Sequence, residues 1–140
     1  MIVTRKKPKA DGIRYSDLDP GMVALMKGPA PPSRFISDGC SSAPDHVGPV
    51  DTDVACWMHD WSYTLGGREK DRREADANLW RNVKTVGGGW WLSALYWLEV
   101  RAYGWDHFAY HDEKGHSIKP PGMAFRVWTW FSRFGVFLCA

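Results

Sequence analysis

The sequence predicts a mostly α-helical protein. Strand-like alternation of apolar and polar residues is sparse, several segments repeat apolar residues at helical spacing, and runs of glycine separate these segments. At 140 residues the chain has the size of one domain, and we expect residues 1–140 to form a single unit with one hydrophobic core.

The first part of the chain predicts little regular structure. Residues 1–14 carry five basic residues and one acidic residue and are expected to form a flexible arm. Residues 15–27 show weak helical periodicity, which the Asp-Pro-Gly sequence at 19–21 interrupts. Residues 28–32 form a stiff Pro-rich linker, and residues 37–50 are expected to be loop.

A first long helix is expected in the middle of the chain. Thr52 or Asp53 is suited to the N-cap, and the helix should run through Tyr63 or Leu65. The glycine pair 66–67 then ends it, because glycine adopts the left-handed conformation of a helix C-cap.

More helices are predicted downstream. A charge-dense second helix covers about 68–84 and ends at the glycines 87–89, and the short connector before it makes it an antiparallel neighbour of the first. A third helix covers 90–103. Residues 106–121 are polar and irregular, and 123–138 repeat apolar residues at helical period.

Four reactive side chains share one face of the first long helix. Cys56, His59, Asp60 and Tyr63 stand at i, i+3, i+4 and i+7. A face made for burial alone seldom collects a thiol, an imidazole, a carboxylate and a phenol. Histidine suits general-base catalysis, because its pKa lies near neutrality, and aspartate binds hard cations through oxygen.

The surrounding motifs have specific spacing. In chain order they are Asp-x-Cys at 38–40, Ala-Pro-Asp at 43–45, Ala-Cys-x-x-His-Asp-x-x-Tyr at 55–63, and Asp76. This pattern resembles the phospholipase A2 family, most of all its short prokaryotic and fungal branch. The resemblance covers about residues 35–83, roughly a third of the chain. The 16-residue separation of Cys40 and Cys56 also matches the family.

The resemblance implies hydrolysis of the sn-2 ester of a glycerophospholipid. In that reaction His59 would act as the general base for water. Asp76 would accept a hydrogen bond from the other ring nitrogen of His59, and Tyr63 would orient Asp76.

The resemblance also implies a bound calcium ion. The carboxylates of Asp38 and Asp60 and the carbonyl of Gly39 would supply its ligands, with the carbonyls of Ser41 and Ala43 as further candidates.

Three cysteines leave one without an internal partner. The resemblance suggests a bridge between Cys40 and Cys56, which leaves Cys139 over; two reduced thiols are the alternative, since a disulfide needs an oxidising compartment. Residues 1–9 are basic but lack the apolar stretch of a secretory signal. We therefore expect secretion or delivery by a non-classical route, as in toxins and virus particles.

The net charge and hydropathy of the chain indicate which classes of partner it can bind. A net charge of +2 is too small to indicate nucleic acid, and no run of 18 apolar residues predicts a transmembrane segment. We expect peripheral contact with a phospholipid membrane surface, and the aromatic C-terminal region is a candidate for binding a larger assembly.

The nine tryptophans predict two different environments. Those on the two expected catalytic helices should be core or pocket wall: Trp57, Trp61 and Trp80. The others could be core or could form a lipid-binding face, because Trp favours the bilayer interface: Trp90, Trp91, Trp97, Trp128 and Trp130.

Two other functions are compatible with parts of this pattern. One is a non-catalytic relative that binds lipid or a protein partner. The other is a His-Asp metal phosphohydrolase, for which His46 is the only nearby extra ligand. The joint presence of His59, Asp60 and Asp76 favours the enzyme.

Overall fold

The computed structural model of the protein describes residues 12–39, 46–47 and 49–122. Helices dominate this part of the chain, so the prediction of a mostly α-helical class is confirmed. The helices there are α1 (Pro20–Leu25), α2 (Asp53–Leu65), α3 (Glu69–Val83) and α4 (Gly89–Tyr103), and the strands are β1 (Ile13–Arg14), β2 (Ile36–Ser37), β3 (His46–Val47) and β4 (Val50–Asp51). None of the described helices is long and apolar enough to cross a membrane.

The turn between α2 and α3 depends on glycine. Gly66 has φ 67°, and its N–H donates to the carbonyl of Ser62 at 3.1 Å, which ends α2. A Cβ atom on Gly66 would lie 1.9 Å from the carbonyl oxygen of Ala109. Both the backbone conformation and the close neighbour therefore require glycine here.

Helices α2 and α3 run antiparallel. Tyr63, late in α2, belongs to the same buried cluster as Ala75. Cys56, early in α2, belongs to a cluster with Leu79 and Val83, which come later in α3. Later residues of α2 therefore contact earlier residues of α3, as expected for antiparallel helices.

Helix α4 completes the core on the other side of α3. Its residues Leu92 and Tyr96 are buried in the cluster that also holds Leu79. The hydroxyls of Thr52 and Tyr96 are 2.9 Å apart, so α4 is also tied to the start of α2. Thr52 occupies the N-cap position as predicted, but its side chain makes no capping hydrogen bond.

The connection from α3 to α4 differs from the expected simple stop. A π-helical turn, Lys84–Gly88, continues from α3, and the non-helical φ of 96° at Gly87 breaks it. Helix α4 then begins at Gly89 with φ 64°. The positive φ values at Gly87 and Gly89 thus change the direction of the chain between α3 and α4 without an intervening loop.

The N-terminal region is more ordered than predicted. β1 pairs antiparallel with β2, with Ile13 opposite Ser37. Ile13 is buried, so the expected flexible arm is fixed at its end; residues 1–11 lie outside the described part of the chain. A two-residue strand has no measurable period, which is why the sequence does not reveal it.

Helix α1 starts where an interruption was expected. The side chain of Asp19 accepts a hydrogen bond from the N–H of Gly21 at 2.8 Å and caps the helix. Pro20 takes the first helical position, where its missing N–H costs nothing. The Asp-Pro-Gly sequence therefore begins a helix.

Two segments expected to be irregular contain further pairing. In the region expected to be loop, β3 and β4 form an antiparallel pair with Val47 opposite Val50. In the segment after α4, Phe108 and Tyr110 are buried against Tyr63. Single buried aromatics in a polar segment leave no periodic signal, so this docking was not predictable from the pattern.

The described tryptophans divide differently from the prediction. Trp57 is buried, as expected for the core. Trp97 is only 3% exposed, so the prediction that it could belong to a lipid-binding face is wrong. Trp90 and Trp91 are 53% and 73% exposed. Trp128, Trp130 and the expected helix over 123–138 lie outside the described residues.

Candidate functional site

His59 and Asp76 form a buried pair between α2 and α3. The Nε2 atom of His59 lies 2.9 Å from Oδ1 of Asp76, although the residues are 17 positions apart. Tyr63 donates its hydroxyl proton to the same Oδ1 at 2.7 Å. Asp76 has no exposed surface, and His59 is 8% exposed. The antiparallel helix pair thus brings together all three residues to which the resemblance assigns catalytic roles.

The other oxygen of Asp76 is held by arginine. Arg101, on α4, donates from Nη1 to Oδ2 at 2.7 Å, and Nη1 of Arg72 lies 3.7 Å from the same oxygen. Burial alone would raise the pKa of Asp76, but the bond to His59 and the charges of His59, Arg101 and Arg72 outweigh it and hold this pKa below its usual value. Asp76 is therefore a carboxylate at neutral pH.

A second, largely shielded carboxylate completes the cluster. Glu69 accepts from Arg101 Nη2 at 2.6 Å, from Arg72 Nε at 3.2 Å and from the hydroxyl of Tyr110 at 2.6 Å. Burial would raise the pKa of Glu69, but the hydrogen bonds from Arg101 and Tyr110 bring it below its usual value. Two carboxylates and two guanidinium groups thus balance each other.

Sequence reasoning missed this charge cluster. One signal was present: Glu69, Arg72 and Asp76 stand at i, i+3 and i+7 and therefore share one face of α3. No comparable signal marks Arg101 or Tyr110, because both reach the cluster only through tertiary packing.

A cavity of about 400 Å³ opens beside His59. Within the described ranges, Nδ1 of His59 has no hydrogen-bond partner. With Asp76 accepting from Nε2–H, Nδ1 carries a lone pair and can accept a proton. The other lining residues that concern function come from α2, α4 and the turns after β2 and α4: Gly39, Asp60, Glu99, Tyr103, Trp105 and Asp106.

Asp60 is tethered to the segment that follows β2. The Ser37 hydroxyl donates to Oδ2 of Asp60 and accepts the N–H of Gly39 at 2.9 Å. Burial raises the pKa of Asp60, the hydrogen bond from Ser37 opposes this, and the charge of Asp38 adds to the rise. A carboxylate that is half-buried and repelled by a second carboxylate is stabilised by a bound cation.

The expected donors are oxygen atoms, the ligand type that a hard divalent cation prefers. Asp38 and Asp60 offer carboxylate oxygens near Gly39, whose carbonyl is the third expected donor. Among the described residues, no three His, Cys, Asp or Glu side chains are grouped to hold a metal ion, so the expected set depends on backbone carbonyls as well. Ser41 and Ala43, the further candidates, lie outside the described part.

The expected disulfide involves residues beyond the described ranges. Cys56 is 3% exposed and lines the cavity next to His59. Cys40 and Cys139 are not among the residues that the structure describes, and the bridge between Cys40 and Cys56 stays a prediction.

Comparison of the chain with protein-family models, with curated proteins and with solved structures finds no match.

Proposed function

We propose that the protein is a calcium-dependent phospholipase A2 that hydrolyses the sn-2 ester of glycerophospholipids. The observation that carries the proposal is the buried His59–Asp76 pair at the wall of the cavity. This pair leaves the second ring nitrogen of His59 without a partner in the described structure and available to the cavity. The motif spacing around His59 supports the same reaction class.

The proposed mechanism uses His59 as the base. Nδ1 takes a proton from a water molecule as the water oxygen attacks the ester carbonyl carbon. The imidazolium then gives this proton to the departing glycerol oxygen as the carbon–oxygen bond breaks. The products are a fatty acid and a lysophospholipid, and His59 returns to its neutral form.

Asp76 supports His59 without touching the substrate. Its carboxylate accepts from Nε2–H, which fixes the tautomer, and it stabilises the imidazolium that forms. Tyr63 and Arg101 occupy other positions on the same carboxylate, so Asp76 has little freedom to rotate. The low pKa of Asp76, set against burial by its bonds to His59 and the arginines, favours keeping the proton on His59.

Calcium would be held by Asp38, Asp60 and the carbonyl of Gly39. When bound, it would supply a positive charge for the lipid phosphate and for the oxygen that becomes negative during attack. Ser37 positions Asp60 relative to this segment through its two hydrogen bonds.

The lipid itself would be reached at a membrane surface. Trp90 and Trp91 at the start of α4 are exposed and are candidates for interfacial contact. This peripheral binding and a role for the aromatic C-terminal region, 90–140, in a larger assembly are further parts of the proposal.

The direct test is release of fatty acid from vesicles of sn-2-labelled phospholipid. We expect release with calcium, none in excess chelator, and a loss of about 10²- to 10⁴-fold for His59→Ala. His116→Ala is the matched control, because the His116 side chain is 75% exposed and lies outside the cavity. Hydrolysis at the parent rate by His59→Ala would disprove the mechanism. Vesicle binding by the parent without hydrolysis would support the non-catalytic alternative.

A further inference from the structure

The described lining of the cavity carries negative charge and no lysine or arginine. Asp60 belongs to the expected calcium site. Glu99 and Asp106 lie on α4 and on the 3₁₀ turn Gly104–Asp106 that follows it. The cavity therefore has a second acidic region, contributed by elements other than those that carry the proposed calcium ligands.

Glu99 differs from Glu69 and Asp76, the two acids of the charge cluster. Glu69 and Asp76 are each bonded to Arg101, which leaves neither charge uncompensated. Glu99 is half-buried and forms no ion pair with any residue that the structure describes. A partly desolvated carboxylate without a counter-charge favours a cationic ligand.

Two aromatic residues line the same cavity as this carboxylate. Tyr103 and Trp105 line the same cavity, and Tyr103 is 70% exposed. Aromatic faces attract organic cations such as quaternary ammonium groups. They do not coordinate small metal ions, which prefer oxygen ligands.

A buried group in the same cavity also indicates a ligand. His59 is more than nine-tenths buried, and its Nδ1 has no partner in the described structure. The cavity thus offers an unsatisfied imidazole nitrogen on its inner wall and an acidic, aromatic region formed by α4 and the turn after it.

We propose that Glu99, Tyr103 and Trp105 bind the quaternary ammonium of a choline head group, so that phosphatidylcholine is the preferred substrate. The substrate preference rests on the proposed function. Binding of the cation does not depend on it.

The first experiment compares two lipids that differ only in the head group. Short-chain phosphatidylcholine and phosphatidylglycerol are supplied as monomers, below the concentration at which they aggregate, so that membrane charge plays no part. With saturating calcium, we expect kcat/KM to be about 10-fold higher for phosphatidylcholine, the size of one strong cation–π contact.

Variants assign the preference to the proposed residues. Glu99→Gln keeps the shape of the side chain and is expected to raise KM for phosphatidylcholine about 10-fold while leaving phosphatidylglycerol unchanged. Tyr103→Leu should act in the same direction, and its exposure makes a folding defect a poor explanation. Glu113→Gln is the matched control, because Glu113 is exposed and lies outside the cavity; it should change neither value.

A second experiment separates this inference from the proposed function. Phosphocholine alone is titrated into the protein by calorimetry, with no lipid present. Binding that Glu99→Gln weakens about 10-fold supports the cation site even if no lipid is hydrolysed. Equal use of the two lipids by the parent, an equal loss on both lipids in Glu99→Gln, or absence of phosphocholine binding would each overturn the choline site.

Discussion

Arg101 donates a hydrogen bond to Oδ2 of Asp76 at 2.7 Å, from a position 25 residues later in the chain. Both side chains are shielded from solvent, with 5% and 0% of their residue surface exposed. Since His59 and Tyr63 share Oδ1, each Asp76 oxygen has a charged or polar partner. The carboxylate at the centre of the site is therefore fixed by two helices besides its own.

Removing Arg101 should destabilise the fold strongly. Arg101→Leu leaves Asp76 and Glu69 short of a positive charge in a buried region, and loss of one partner of a buried ion pair costs about 3–5 kcal/mol. Urea unfolding at pH 7 measures it. The control is Arg81→Leu, because Arg81 pairs with Glu74 at 3.0 Å on the surface, with side chains 51% and 66% exposed. It should cost less than about 1 kcal/mol, and equal losses would contradict the assigned role.

Acid should destabilise the protein through the two carboxylates of the charge cluster. Burial alone would raise the pKa values of Asp76 and Glu69, but hydrogen bonds and the arginine charges hold both below their usual values. Their contribution is present above the unfolded-state pKa values of about 4 and is lost as pH falls through the lower folded-state values. We expect the free energy of unfolding to decrease when the pH is lowered below about 4. The slope should be shallower in Asp76→Asn, and an unchanged slope would rule out Asp76 as a source.

His111 should stabilise its contacts with Leu65 and Asp112 in full only while it is protonated. Nδ1 lies 2.8 Å from the carbonyl oxygen of Asp112 and Nε2 lies 2.8 Å from that of Leu65, and only the imidazolium donates from both nitrogens. These two hydrogen bonds raise the pKa of His111, with the nearby Asp112 and Asp71 adding to the rise. The contribution is therefore full below about pH 6.5 and is lost as pH rises through the higher folded-state pKa.

Amide exchange of residues 110–112 across that range measures the loss for His111. Exchange should quicken with pH beyond its intrinsic dependence in the parent and not in His111→Gln. The control His107→Gln, at a side chain 69% exposed, should behave like the parent. The same excess in His111→Gln would count against the prediction.

Two glycines with similar φ values should respond differently to alanine. Gly66 and Gly115 have φ values of 67° and 82°. Gly115→Ala meets no atom within 4 Å and should cost about 1–2 kcal/mol for the left-handed conformation. Gly66→Ala also drives Cβ against the carbonyl of Ala109, which should add about 1–3 kcal/mol. Thermal or urea unfolding compares the two, and equal costs would refute the steric argument.

Calcium affinity should depend more on Asp60 than on Asp38. Few ligands are expected, so the dissociation constant should be weak, on the order of 10⁻⁴ to 10⁻³ M. Asp60→Asn should weaken calorimetric binding more than Asp38→Asn, because Ser37 fixes the Asp60 carboxylate and Asp38 is exposed. Asp19→Asn, which keeps a capping side chain at α1, is the control. Full hydrolysis in excess chelator would disprove the proposed role of calcium.

Local signals made the helices predictable. The glycine pair before Arg68 and the glycines at 87–89 bound the helices to within about a residue, because a helix has few ways to continue past a left-handed glycine. The proximity of His59 and Asp76 was expected from the short turn, since antiparallel helices joined by a few residues can bring these positions side by side.

The partners that complete the site were not predictable. Arg101 and Tyr110 meet Glu69 only because α4 and the segment after it fold back over α3, and no sequence spacing encodes that contact. The pairing of Ile13 with Ser37 was not predictable for a related reason, because strands of two residues are stabilised by neighbours and not by their own pattern.

The position of Asp76 also has a consequence for when the protein can act. Its carboxylate takes hydrogen bonds from α2 and α4 at once, so a compact state with formed helices but loose packing would leave His59 without a fixed acceptor. Under the proposed chemistry, a newly made chain or one threaded through an export channel is harmless to the lipids around it. Under that proposal, activity would begin only once the three helices have packed together.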